Sequence, residues 1–125
     1  MAGILTKIIL TGSLTSSLLL NSVSLVSVAE APLNQEELRI DYILSELAYC
    51  ESRGNPKAHN QDDGGTPSYG LLQFKLRTFN HFGEKYDLEH TDVTNPSQQV
   101  AIAREMLREG RWRHWFTCLS KHYKI

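Results

Sequence analysis

The chain has 125 residues, enough for one domain, with 13 Lys and Arg against 14 Asp and Glu and a formal net charge of −1. Near-neutral charge, with no basic run interleaved with aromatics, argues against a nucleic-acid-binding surface. Five histidines (His59, His81, His90, His114, His122) fall at no metal-ligand spacing, so neither a metal nor a cofactor is expected.

The first segment reads as a signal peptide over 1–29. Lys7 precedes Ile8-Ile9-Leu10 and then Leu18-Leu19-Leu20, and Ser27-Val28-Ala29 offers small residues where a signal peptidase reads. The stretch is rich in Ser and Thr, too polar for a comfortable membrane span, although an uncleaved anchor is the alternative. Cleavage after Ala29 leaves residues 30–125 as the mature domain, expected to be secreted or extracytoplasmic, monomeric and without a stable span.

A helix is predicted over 35–52. Asn34 can cap it, Glu37 three residues on completes a capping box, and Leu33 with Leu38 can form a hydrophobic staple. Ile40, Leu44 and Leu47 recur at helical spacing, and Glu51 falls in phase with them, in the last turn. A carboxylate on an apolar stripe is poorly solvated, so its pKa rises and it can hold a proton near neutral pH. Gly54 and Asn55-Pro56 break the helix just beyond. A proton donor at a helix end that opens into a turn suits the cleavage of an acetal. The plainer reading is a solvated C-terminal Glu that happens to fall in phase.

Asn60 to Ser68 is a run of turn formers. Set as a calcium loop on Gly65, it puts Leu71 where a bidentate Glu is required, and the pattern fails. Tyr69-Gly70-Leu71-Leu72-Gln73-Phe74 is short and apolar and reads as a buried strand or extended segment. Gln73 is an amide inside that run, bonded either to nearby backbone or to a ligand. A helix is predicted from Leu76 to Phe82, with Phe79 facing inward and Gly83 ending it. Another opens at Asn95-Pro96, carries Val100, Ala103, Met106 and Leu107 on one face, and stops at Gly110. Trp112, Trp115 and Phe116 then read as core and as cover for Cys118, and secondarily as sugar platforms. In this last stretch Arg104, Arg108, Arg111, Arg113, Lys121 and Lys124 outnumber Glu105 and Glu109: a solvated face, or a loose attraction to a polyanionic surface.

Cys50 and Cys118 stand at opposite ends of the domain. In an exported chain an even count reads as a disulfide, worth roughly 4 kcal/mol by loop entropy. The alternative, Cys50 as a nucleophile with a histidine partner, has no supporting signature.

Taken together, Cys50-Glu51-Ser52-Arg53-Gly54-Asn55, Tyr69 to Phe74, Thr78-Phe79, Gln99 to Ala103 and the Trp112, Trp115, Cys118 ending resemble the lysozyme-like transglycosylase domains of bacteria. The likeness is nearest to the resuscitation-promoting factor branch. Soluble lytic transglycosylases and goose-type lysozymes share the Glu-Ser and Gly-Leu-x-Gln elements more distantly. The resemblance covers about Asp41 to Cys118. It implies a small, α-rich α+β lysozyme-like fold with one disulfide and a cleft for peptidoglycan glycan strands. It implies Glu51 as the acid that cleaves the β-1,4 bond between MurNAc and GlcNAc, with a 1,6-anhydroMurNAc product. It further implies that Gln73 lines the cleft, that Tyr69, Phe74 and Thr78 form its wall, and that Ser52 supports Glu51 from behind. The acidic Asn60-to-Ser68 loop departs from that branch. If the loop covers the cleft, Asp62 or Asp63 could orient a water, making a hydrolytic muramidase; as turn residues both have a structural reason to exist. A cleft that binds glycan without cutting it is the reading from a different class.

Overall fold

The computed structural model describes residue 12 and residues 34–122. The signal segment and Leu33 lie outside the described residues, residue 12 apart. Chain contacts divide the protein into Met1–Glu30 and Ala31–Ile125, and everything below concerns the second unit.

The first element is helix α1, Gln35–Ser52. Asn34 caps it through its side chain, which accepts from the Glu36 amide. The capping box does not form. Glu37 is drawn instead to Arg104 and Arg108, two guanidinium groups that offer a carboxylate more than one backbone amide can. Leu38 is 49% exposed, and its expected staple partner Leu33 lies outside the described residues. The apolar stripe is as expected: Ile40, Leu44 and Leu47 are buried. The helix ends on Arg53, itself in the left-handed region at φ 57°.

Asn60 to Ser68 is not a loop but most of a β-hairpin. Strand β1, His59–Asp63, pairs antiparallel with β2, Thr66–Tyr69, across Gly64-Gly65. β1 is exposed but for a half-buried Asp63, so it carries no alternating apolar pattern to betray it. The predicted strand from Tyr69 to Phe74 is corrected as well. The strand stops at Tyr69, and Gly70 to Gln73 is a tight turn that brings Phe74 back to pair with Tyr69.

Helix α2, Leu76–Lys85, runs past its predicted end. Gly83 does not terminate it but packs inside it, where a Cβ would overlap His90. Phe79 is fully buried. Helix α3, Pro96–Arg108, is capped by Asn95, which accepts from the Ser97 and Gln98 amides. A 3-10 turn, Trp112–Trp115, leads into the short α4, Phe116–His122.

The core joins Ile40, Leu44 and Leu47 of α1, Phe79 and Phe82 of α2, Ile102, Ala103 and Met106 of α3, and Trp115 and Leu119 near the end. Its least expected member is Gln99, fully buried on α3. Its amide accepts from the Leu72 amide and donates to the Tyr69 and Val93 carbonyls. Gly70 must be a glycine for this to happen, because a Cβ there would strike the Gln99 amide. Arg104 and Arg108 pair with Glu37 and Asp41 across α1 and α3, and Arg111 with Glu109, so much of the basic C-terminal stretch serves internal ion pairs. Among the described residues, no helix is long and apolar enough to cross a membrane.

Cys50 and Cys118 form a disulfide that joins the end of α1 to α4, over a sequence separation of 68. Loop entropy assigns this bond about 4 kcal/mol, roughly 15–30 °C in melting temperature for a domain of this size. Thermal denaturation with and without reductant should show a drop of that order. A reduced protein that melts within a few degrees of the oxidised one would contradict it.

Candidate active site

Glu51 stands where α1, the hairpin and the C-terminal turn meet. The stripe that buries Ile40, Leu44 and Leu47 carries it into the protein, and the break at Arg53 opens the space before it. Its carboxyl is only half exposed, beside Trp115 and the disulfide. Cys118 Sγ lies 2.9 Å from its Oε1. An oxidised sulfur has no hydrogen to give, so this contact supplies the Glu51 carboxylate with no donor.

Burial therefore raises the pKa of Glu51, and the negative charge of Asp63 raises it further, to about 7. Its place in the last turn of α1 acts in the same direction, because a helix C-terminus disfavours negative charge. Near neutral pH the group is divided between acid and carboxylate, the condition a general acid that must later act as a base requires.

The space around Glu51 has two lobes. One is lined by Gln73, Phe74, Lys75 and Thr78, the other by Cys50, Thr117, Cys118 and Lys121. Glu51, Asp63, His114 and Trp115 line both. A polymer lying along this groove would pass the carboxyl with room on either side. A separate, more apolar hollow lies between α1 and the C-terminal part, lined by Ile40, Ile43, Leu107, Trp112 and Leu119. Its carboxylate, Glu36, is exposed at the other end of α1.

The expected site residues divide. Gln73 lines the groove with its backbone in the left-handed region at φ 51°, but its amide is used internally. It accepts from Ser68 and donates to the Gly70 and Ala58 carbonyls, which is the structural alternative for this residue. Phe74 and Thr78 line the same lobe. Phe74 is also core, edge-on to Phe79 and Trp115. Tyr69 is not brought to the groove lining and stacks on His59. Ser52 lies behind Glu51 and donates to the Ala48 and Leu71 carbonyls, tying the end of α1 to the turn after β2. Asp62 accepts from the Gly65 amide and serves the hairpin turn. Asp63 alone of that pair lines the groove.

Lys75, His114 and Lys121 line the groove and had no sequence signal for it. Trp115 lines it while donating its indole N–H to the Leu72 carbonyl. Among the described residues no cluster of His, Cys, Asp or Glu is arranged to hold a metal ion.

The family model described as Transglycosylase SLT domain matches residues 30–119. The chain belongs to that family of lysozyme-like domains, and the membership supports a peptidoglycan lytic transglycosylase-type activity in general. The chain matches no curated protein and no solved structure.

A carboxyl whose pKa is raised on folding destabilises the native state once it ionises. The folded protein holds the proton from the ordinary 4.5 up to about 7, so this penalty is absent below pH 4.5, grows as pH rises, and is complete above 7. Glu51→Gln should therefore be more stable than the natural protein at pH 8, with the advantage gone at pH 4. Urea denaturation at the two pH values measures this. Equal stability at pH 8 would mean that Glu51 is well solvated.

Proposed function

We propose that this member of the transglycosylase SLT family is an exported lytic transglycosylase that cuts the MurNAc-β-1,4-GlcNAc bond of peptidoglycan, with Glu51 as both acid and base. The observation that carries the reading is a half-buried carboxyl with a pKa of about 7 at the centre of a two-lobed groove. A disulfide in so small a domain fits an extracytoplasmic setting, which is where peptidoglycan lies.

The chemistry follows from one carboxyl. Protonated Glu51 gives its proton to the glycosidic oxygen as the bond from that oxygen to the MurNAc C1 breaks, and GlcNAc leaves with a free 4-hydroxyl. The positive charge that develops at C1 and the ring oxygen is relieved from within the same sugar. Glu51, now a carboxylate, takes the proton of the MurNAc C6 hydroxyl while that oxygen bonds to C1. The product is a 1,6-anhydro sugar, the proton is back on Glu51, and no water is consumed.

Asp63 supports a second reading. It lines both lobes of the groove together with Glu51 and could hold a water against C1, which would give hydrolysis and a reducing end. A muramidase and a transglycosylase differ here in which nucleophile arrives first.

Digestion of purified peptidoglycan with the domain distinguishes the two, because anhydro fragments are lighter than hydrolysed ones by one water. The expected product carries anhydro ends. Reducing ends that disappear in Asp63→Asn would establish the hydrolytic reading, and intact glycan would leave a binding module. Glu51→Gln should lower the rate at least about 100-fold with the fold retained. A Gln variant with undiminished turnover removes Glu51 from the mechanism.

A further inference from the structure

The hairpin that carries Asp63 has little to hold it over the groove. β1 is exposed apart from Asp63, and the tip at Gly64-Gly65 buries no side chain in the core. Asp62 and Asn60 bond only within the hairpin. At the other end, His59 stacks on Tyr69 and Ser68 reaches Gln73, which fixes the base of the hairpin but not its tip. The side chain that crosses from the helical body to the tip, among the described residues, is Lys75. It is the residue before α2, held at the far side of the groove by Phe74, which is buried. Its Nζ donates to the Asp63 main-chain carbonyl at 2.5 Å and lies 3.9 Å from the Asp63 carboxylate. A Cβ built on Gly64 would stand 3.9 Å from the same Nζ, an ordinary van der Waals contact, so the ammonium lies beside the tip.

We propose that Lys75 is a positioning residue, a latch that holds the hairpin tip at the groove and so fixes the Asp63 carboxylate within reach of Glu51. Two features fit a latch better than a surface ion pair. The donor reaches the backbone, so it holds the strand itself and not merely a rotatable carboxylate. The ammonium also makes its short contact, 2.5 Å, to a neutral carbonyl and stands 3.9 Å from the carboxylate, so the Asp63 charge is not taken up in a close ion pair. A lysine used only as a cation would sit on the carboxylate and cancel it. The groove is then partly a made object: one wall is the helical body, and the other is a strand whose tip is pinned by Lys75.

The inference is tested on Glu51 without turnover, so it stands or falls separately from the assignment of Glu51 as the acid. The groups that face Glu51 are Asp63 from β1, His114 from the 3-10 turn, Lys121 from α4 and, across the groove, Lys75. Removing a nearby cation would by simple electrostatics raise the Glu51 pKa. Releasing the latch does the reverse, because Asp63 moves away and its repulsion is lost. The sign therefore separates the two roles. The experiment is a carboxyl-carbon NMR titration of Glu51 in the full domain, carried out on Lys75→Met, Lys75→Arg, Asp63→Asn and the double variant Lys75→Met/Asp63→Asn.

The expected result is a Glu51 midpoint in Lys75→Met that moves down by at least half the displacement seen in Asp63→Asn. The double variant should move no further than Asp63→Asn alone, and Lys75→Arg should keep the natural midpoint. Amide exchange across 60–66 should quicken in Lys75→Met while α1 and α3 stay protected. A midpoint in Lys75→Met that stays put or rises overturns the proposal, as does a double variant whose displacement is the sum of the two. If Lys75→Met does not fold, Lys75→Gln, too short to reach Asp63, is read by the same titration with the same two outcomes.

Discussion

The Gly70–Gln73 turn is the piece on which the rest of the site depends. It is four residues long and makes no regular ladder, yet its backbone groups are taken by side chains from three different helical segments. Ser52 of α1 bonds the Leu71 carbonyl, Gln99 of α3 bonds the Leu72 amide, and Trp115 of the 3-10 turn bonds the Leu72 carbonyl. Buried backbone polar groups must be satisfied, and here the satisfaction comes from outside the segment. The consequence is rigidity where the chain has no secondary structure of its own. Leu72 is fully buried beneath these bonds, so the turn is packed as well as bonded. The neighbours of Glu51 along the chain and across the fold are thus registered to one another through a single short turn.

That arrangement explains how a small domain can keep a carboxyl half-buried without collapsing around it. Burial of Glu51 is unfavourable whenever it is ionised, and the surrounding structure must resist the relaxation that would hydrate it. The disulfide on one side and Trp115 on the other supply that resistance. The ion pairs between α1 and α3 add little individually, since their side chains are partly exposed to solvent. Their use is geometric: Arg104 and Arg108 hold the two long helices in register through Glu37 and Asp41, away from the groove.

How much of this was legible in the sequence depended on whether the signal was local. The span of α1, its cap at Asn34, its buried stripe and the position of Glu51 on it are all local, and so is the Asn95-Pro96 start of α3. The capping box failed because Glu37 had a better offer from residues far along the chain. The hairpin was missed because its outer strand is polar throughout, although Gly64-Gly65 is itself a hairpin signal. Gln99 carried no mark of its importance, since a glutamine on a helix is ordinary until the carbonyls it serves are placed beside it. Lys75 and His114 likewise acquire meaning only when α2 and the C-terminal turn come to the groove. Gln73 stands out in the sequence as an amide in an apolar run, and its bonds go to Ser68, Gly70 and Ala58.

The exposed outer strand has a consequence for how such a domain can vary. β1 contributes nothing to the core, and its residues from His59 to Asp62 face solvent on both sides. Replacing or lengthening them leaves the helical packing untouched, so the strand can drift in sequence far faster than the body that carries it. Two domains with the same helices could then present quite different rims to a glycan. In recombination terms the exchangeable cassette is the outer strand from His59 to Asp62, while Asp63, which lines the groove, and Ser68, which is buried and bonded to Gln73, belong to the body.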